Sequence, residues 1–98
     1  MELICSISQQ LPLTTREYQD RNTGAPSTFR TVGLILRSGF DSYFAEAIQE
    51  LADNLQQYPL DPKSYYKAEL NAIARSFTDA KGLTRWTSEL RVLRITHL

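Results

Sequence analysis

Apolar and polar side chains alternate along most of this chain, and the period of two changes to a helical period only once. Alternation places apolar residues on one face of an extended strand, so the pattern predicts a fold built mainly from β-strands. Strands are predicted over residues 2–11, 29–37, 41–48 and 64–77, and from Thr84 to about Thr96. The side chains predicted to face the core are Leu3, Cys5, Ile7, Val32, Leu34, Leu36, Tyr43, Ala45, Ala47, Tyr66, Ala68, Leu70 and Ala72.

The single change to a helical period follows the third predicted strand. Ile48, Leu51, Ala52 and Leu55 are spaced at i, i+3, i+4 and i+7, which is the spacing of one helix face. Pro59 comes soon after, and proline cannot continue a helical hydrogen-bond ladder. The pattern therefore predicts one short helix between the third and fourth strands.

Two polar segments predict the turns that matter most for the fold. Thr14–Ser27 contains Asn, Gly and Pro and predicts a long turn between the first two strands. Thr78–Gly82 predicts a hairpin turn, because Asp can bond its own backbone and Gly can adopt positive φ. We therefore predict a single all-β domain over residues 1–98. Its arrangement is that of a five-stranded oligonucleotide-binding (OB) fold barrel with one short α-helix between strands 3 and 4.

Composition argues against several classes of function. The chain has 98 residues, one cysteine (Cys5) and one histidine (His97), too few for a zinc site or a Cys–His catalytic pair. It has no glycine-rich phosphate loop, paired-carboxylate spacing or nucleophile motif. We therefore predict no cofactor, no metal and no enzymatic activity.

Targeting signals are also missing from the sequence. The chain starts without a basic region followed by an apolar stretch, and no apolar run approaches the roughly 20 residues that span a bilayer. A lone cysteine fits a reducing compartment. We expect a cytoplasmic protein that does not insert into membranes.

Charge is distributed unevenly although the net charge is zero. Residues 1–74 carry six Lys or Arg against nine Asp or Glu, whereas residues 75–98 carry five against two. Zero net charge counts against a protein that binds nucleic acid by charge alone. A basic end of the chain is compatible with a local nucleic-acid site and equally with a solvated face.

Residues 75–90, RSFTDAKGLTRWTSEL, resemble the bacterial single-stranded DNA-binding protein family. The matching positions are Arg75, Phe77, Thr78, Asp79, Gly82, Arg85, Trp86, Thr87 and Glu89. Residues 22–29 are similar to the family's turn into its second strand, and residues 50–53 to its short helix. The chain departs from the family at 11–14, Ser42 and Ile48. It ends without a Gly/Pro-rich extension and acidic tip, and in this it resembles the primosomal accessory proteins.

The resemblance implies sequence-tolerant binding of single-stranded DNA by base stacking on aromatic rings and by Arg or Lys contacts to phosphates. The candidate binding residues are Phe77, Arg75, Phe44, Trp86, Lys81, Arg85 and Phe40. Trp86 suits either stacking on a base or packing at a subunit contact. The resemblance also implies a role in DNA replication or recombination, and a homodimer or homotetramer joined partly through the first strand.

A second hypothesis keeps the barrel and changes its role. The chain would then be an interaction module of a replication or conjugation complex, with weak nucleic-acid binding. The zero net charge and the absence of the family's other tryptophans favour this alternative.

Overall fold

A computed structural model describes residues 1–98 and contains six β-strands and one α-helix. The elements are β1 (Glu2–Gln10), β2 (Thr14–Gln19), β3 (Pro26–Ser38), β4 (Asp41–Ile48), α1 (Gln49–Gln57), β5 (Tyr65–Thr78) and β6 (Thr84–His97). All six strands belong to one sheet in the order β1-β5-β6-β4-β3-β2. The protein is therefore mainly β with one short helix, as the alternation predicts.

Five of the strands form a closed ring, because β1 pairs with β3 as well as with β5. On the other side, the ring is closed by a short parallel pairing between β4 and β6. That pairing sets Ala45 beside Leu90 and Glu46 beside Arg91. Since side chains alternate between faces, Glu46 and Arg91 lie next to each other on the outward face of the sheet.

The strand β2 corrects the prediction of one long turn over Thr14–Ser27. Residues Thr14–Gln19 pair with the first half of β3, and only 20–25 form a turn. Every residue of β2 is exposed, so no alternation of apolar and polar side chains reveals it. Because β1 pairs with the second half of β3, β2 prolongs β1 beyond an interruption at Pro12, which has no N–H to donate.

The helix α1 starts later than its apolar spacing predicts. Ile48 is the last residue of β4 and pairs with Thr31, so it lies on the outward face of the sheet and not on the helix. Gln49 has a φ of 54°, a left-handed conformation that separates the strand from the helix. Ala52 and Leu55 are buried against the core, as predicted. At nine residues, the helix is too short to cross a membrane.

Two polar side chains attach α1 and the segment after it to the sheet. Arg30 on β3 donates from Nε to Oδ1 of Asp53 at 2.7 Å. Gln10 on β1 donates to the carbonyl of Leu55 at 2.9 Å and accepts from the N–H of Leu60 at 3.0 Å. The helix is therefore held over one end of the ring.

The core consists of the inward side chains of the ring together with α1. Its buried members are Cys5, Ile7, Val32, Leu34, Leu36, Ala45, Ala47, Ala52, Leu55, Tyr66, Ala68, Leu70 and Val92. Leu3 and Tyr43 pack against them and are partly buried, so the inward faces are as predicted. Ala72 is exposed, contrary to prediction, because β5 has run past the core by that point. Residues 72–90 form a two-stranded ribbon that we call the hairpin arm.

The Cys5 thiol is expected to be unreactive in the folded protein. The residue is 1% exposed, and burial raises the pKa of its thiol. The thiolate is the reactive form, so burial lowers both access and nucleophilicity. A disulfide reagent should therefore label Cys5 slowly under native conditions and rapidly in concentrated guanidinium chloride. Equal labelling rates in the two conditions would contradict the buried position.

Candidate nucleic-acid interface

A groove of about 680 Å³ crosses the outward face of the sheet between β2 and the hairpin arm. The residues lining it are Thr14, Thr15, Arg16, Phe29, Thr31, Glu46, Ile48, Arg75, Glu89 and Arg91. They come from β2, β3, β4, β5 and β6, so the groove crosses four inter-strand spacings, or about 19 Å at about 4.8 Å each. A smaller adjoining cavity extends the floor to Ile73 and Leu90.

The packing of the core determines which side chains face this groove. Glu46 and Ile48 alternate along β4 with Ala45 and Ala47, which are buried. Arg91 directly precedes Val92, which is also buried. Because each strand alternates, filling the core with the apolar set directs the polar set outward.

Three arginines and two glutamates carry the charge of the groove. Arg75 donates from Nε to Oε2 of Glu89 at 2.9 Å. Arg91 and Arg16 form no ion pair, and the Arg16 guanidinium lies 5.5 Å from the centroid of the Phe29 ring in a cation–π contact. Two guanidinium groups at opposite sides of the groove therefore have donors available to an anion.

The floor of the groove contains a small apolar area among polar side chains, since two of its ten lining residues are hydrophobic. Phe29, Ile48 and Ile73 line the groove and its adjoining cavity. All three are partly buried, which holds them in place while leaving part of each side chain accessible. The arrangement offers flat or apolar surface flanked by cations.

Arg75 is the one sequence-predicted binding residue that lines the groove. Phe77 lies two residues further along the same outward face of the arm and is 50% exposed. Phe44 lies on the outward face of β4 and is 52% exposed. A Cβ at Gly33 would come within 2.9 Å of Cε2 of Phe44, so glycine leaves the room that this ring occupies against β3.

Trp86 and Phe40 are exposed but lie away from the groove. Trp86 is opposite Ser76 and in phase with Leu90 and Val92, so it lies on the inner face of the arm. Phe40 occupies the turn between β3 and β4, at the end of β4 remote from the groove. The structure does not bring these two rings together with Arg75.

Asp79 organises the tip of the hairpin arm. Its carboxylate accepts hydrogen bonds from the backbone N–H groups of Lys81 at 2.9 Å and Leu83 at 3.0 Å. It also accepts from Nε of Arg85 at 2.7 Å, and this contact lowers the pKa of Asp79 most. Gly82 has a φ of 79°, which the turn requires. Arg85 thus holds the tip, while the Lys81 side chain forms no ion pair.

Acid is expected to loosen this tip through Asp79. Its pKa is lower in the folded protein than the ordinary value of 3.8, so its stabilising effect is complete above that pH. The effect is lost as the pH falls through the lowered pKa. Trp86 is the only tryptophan, so its fluorescence reports on the arm.

The matched variant for this titration is Asp79→Asn, which still accepts from the backbone N–H groups but carries no titrating charge. As the pH is lowered, the fluorescence of Trp86 should change more in the parent than in Asp79→Asn, because only the parent loses the charge at position 79. Identical titration curves would show that Asp79 does not hold the tip.

Sequence reasoning missed Arg16, Phe29 and Arg91. Arg16 lies in the segment predicted as a turn, and Phe29 is the first residue of a predicted strand and has no predicted role. Arg91 carried a usable signal, because it is in phase with Glu89 and out of phase with Val92. The phase alone places it on the same face of β6 as Glu89.

A second large cavity, of about 500 Å³, lies near the N-terminal end of α1 and the other side of β2. Its one arginine, Arg30, already donates to Asp53 at 2.7 Å and to Thr28 at 3.0 Å. Only one of its lining residues is hydrophobic. It therefore lacks the cations without ion-pair partners that distinguish the groove.

Comparison with models of known protein families finds no match for this sequence, and comparison with curated proteins finds none either. The structure holds no group of three or more His, Cys, Asp or Glu side chains arranged to bind a metal ion. What the protein binds is therefore inferred from the geometry and charge of the groove.

Proposed function

We propose that this protein binds single-stranded DNA in the groove, as a cytoplasmic factor in DNA replication or recombination. The observation that carries the proposal is the pair of arginines without ion-pair partners, Arg16 and Arg91, on either side of a floor that contains Phe29 and Ile48. A single strand offers phosphates to such cations and unstacked bases to such a floor.

The topology supports an OB-fold barrel as the framework of this site. With β1 and β2 counted as one interrupted strand, the ring contains the five strands of that fold, and α1 lies between the third and the fourth. OB-folds bind oligonucleotides on the face of strands 2 and 3, between the loops that follow strands 1 and 4. In this chain those strands are β3 and β4, which the groove crosses.

In this proposal the three arginines of the groove, Arg16, Arg75 and Arg91, contact the phosphates. Arg16 and Arg91 have all their donors available. Arg75 uses Nε for Glu89, but a guanidinium has five N–H donors, so its terminal nitrogens can still reach a phosphate. In this arrangement Glu89 orients Arg75 toward the strand.

In this proposal the bases stack on aromatic rings of the same outward face. Phe29 lies on the floor, and Phe77 and Phe44 extend the outward surface along the arm and along β4. Each base stacked on an aromatic ring contributes about 1–3 kcal/mol, with little dependence on base identity. Paired bases in a duplex have no free ring face, so this binding mode selects unpaired strands.

Fluorescence anisotropy of a labelled single-stranded oligonucleotide tests the proposal. We expect saturable binding at low salt, with a slope of log K against log salt of roughly −2 if three phosphates are neutralised. An unlabelled single strand should compete, and a duplex of the same length should compete poorly. Absence of binding at low salt, or equal competition by the duplex, would overturn the proposal.

The inner face of the hairpin arm favours a second candidate function, the docking of a protein. There Trp86 is 70% exposed and in phase with three small residues, Ala74, Ser76 and Ser88. Such a surface suits a second copy of the chain, in a homodimer or homotetramer, or a replication or conjugation protein. Light scattering of Trp86→Ser should show a smaller mass than the parent if this face joins subunits. An unchanged mass would exclude that role.

A further inference from the structure

Glu46 places a carboxylate, which repels phosphate, in a groove whose arginines are proposed to bind phosphates. It is partly buried, and it lines both the groove and the adjoining cavity. Its carboxylate takes part in no side-chain hydrogen bond or ion pair, although Arg91 is its neighbour across β4 and β6. An ionised carboxylate only accepts hydrogen bonds and repels phosphate, so its natural partner in the groove is an N–H donor.

We propose that Glu46 accepts a hydrogen bond from the exocyclic amino group of a bound base, and so favours cytosine over thymine. This inference rests on the proposed function. Cytosine offers its N4 amino group, which carboxylates accept from in nucleic-acid recognition. Thymine places a carbonyl oxygen at that position, and two facing acceptors repel each other.

The surroundings of Glu46 suit this role better than those of the other groove glutamate. Glu89 is already bonded to Arg75 at 2.9 Å, which partly neutralises its charge. Glu46 is two residues from Ile48 on the same strand face, so a base lying on Ile48 would bring its polar edge toward the carboxylate. Arg91, beside Glu46, can hold the phosphate of the same nucleotide.

The test compares labelled oligo-dC and oligo-dT of equal length by anisotropy at one low salt concentration. The parent protein should bind oligo-dC about tenfold more tightly, the lower end of the range for one hydrogen bond to a charged group. Glu46→Gln should bring the ratio close to one, because an amide both donates and accepts. It should also tighten binding of oligo-dT, since a negative charge that faces the thymine carbonyl leaves the groove.

The matched control is Glu2→Gln, which removes the same charge from β1, outside the groove. It should leave the oligo-dC to oligo-dT ratio of the parent unchanged. Equal binding of the two oligonucleotides by the parent, or a ratio that persists in Glu46→Gln, overturns the inference and leaves the proposed function standing. If neither oligonucleotide binds, both the inference and the proposed function are overturned.

Discussion

Replacing Arg91 by alanine is expected to weaken single-stranded DNA binding by about ten- to hundredfold. Arg91 lines the groove and its adjoining cavity without an ion-pair partner, so its guanidinium is free to contact a phosphate. A hydrogen bond to a charged group contributes about 1.5–3 kcal/mol, which sets that range. Losing one phosphate contact should also reduce the steepness of the salt dependence by about 0.7.

Lys63→Ala is the control for Arg91→Ala. Lys63 lies in the segment between α1 and β5, outside the groove, and its loss changes the net charge by the same amount. Anisotropy titrations over a range of salt should therefore show a large effect for Arg91→Ala and a small one for Lys63→Ala. Similar losses in the two variants would mean that net charge, and not the groove, governs binding.

Leu34→Ala is expected to have the largest effect on stability. Leu34 is fully buried in the middle of β3, the strand that pairs with β1, β2 and β4. Removing a buried leucine side chain costs about 2–5 kcal/mol, because apolar contacts are lost and a cavity remains. For a domain of this size, that corresponds to a fall in Tm of at least about 8 °C.

Thermal unfolding followed by circular dichroism measures this change, at one fixed protein concentration because association would also shift Tm. Leu93→Ala removes the same atoms at a position that is 60% exposed. It should change the free energy of unfolding by about 0.5 kcal/mol or less. A loss for Leu93→Ala as large as that for Leu34→Ala would show that the core is wrongly located.

The core could be predicted from the sequence because strand faces follow directly from alternation. Val32 and Leu36 in β3, like Cys5 in β1, needed only the period of two to be placed inward. The same rule placed Arg75 and Phe77 on one outward face, and the structure keeps them there. Where the pattern is strong, local sequence and fold agree.

The groove could be predicted only in part, because one of its walls has no such pattern. All of β2 is exposed, so nothing in its composition distinguishes a strand from a turn. The sequence therefore gives no reason to place Arg16 in a binding site. Pairing with β3 makes β2 a strand, and that pairing is a long-range contact. The Arg16–Phe29 contact across the two strands follows only once this register is known.

For Trp86 the sequence left two roles open, stacking on a base or packing at a subunit contact, and the phase of the strand favours the second. Counting back from Val92 in steps of two reaches Leu90, Ser88 and then Trp86, which places the ring on the core-side face. Phe77, on the neighbouring strand, is in the opposite phase. The two rings therefore cannot share one outward binding surface, although the predicted resemblance rests on both.

The central claim is that single-stranded DNA binds in the groove, and the most direct test is to measure by NMR which backbone amides respond to the oligonucleotide. In a titration of ¹⁵N-labelled protein with a short single-stranded oligonucleotide, we expect the largest amide shifts around Arg16, Phe29, Glu46, Arg75 and Arg91. The amides of α1 should move little. Shifts concentrated in α1 or along β1, with the groove amides unchanged, would contradict the assignment of the groove as the DNA-binding site.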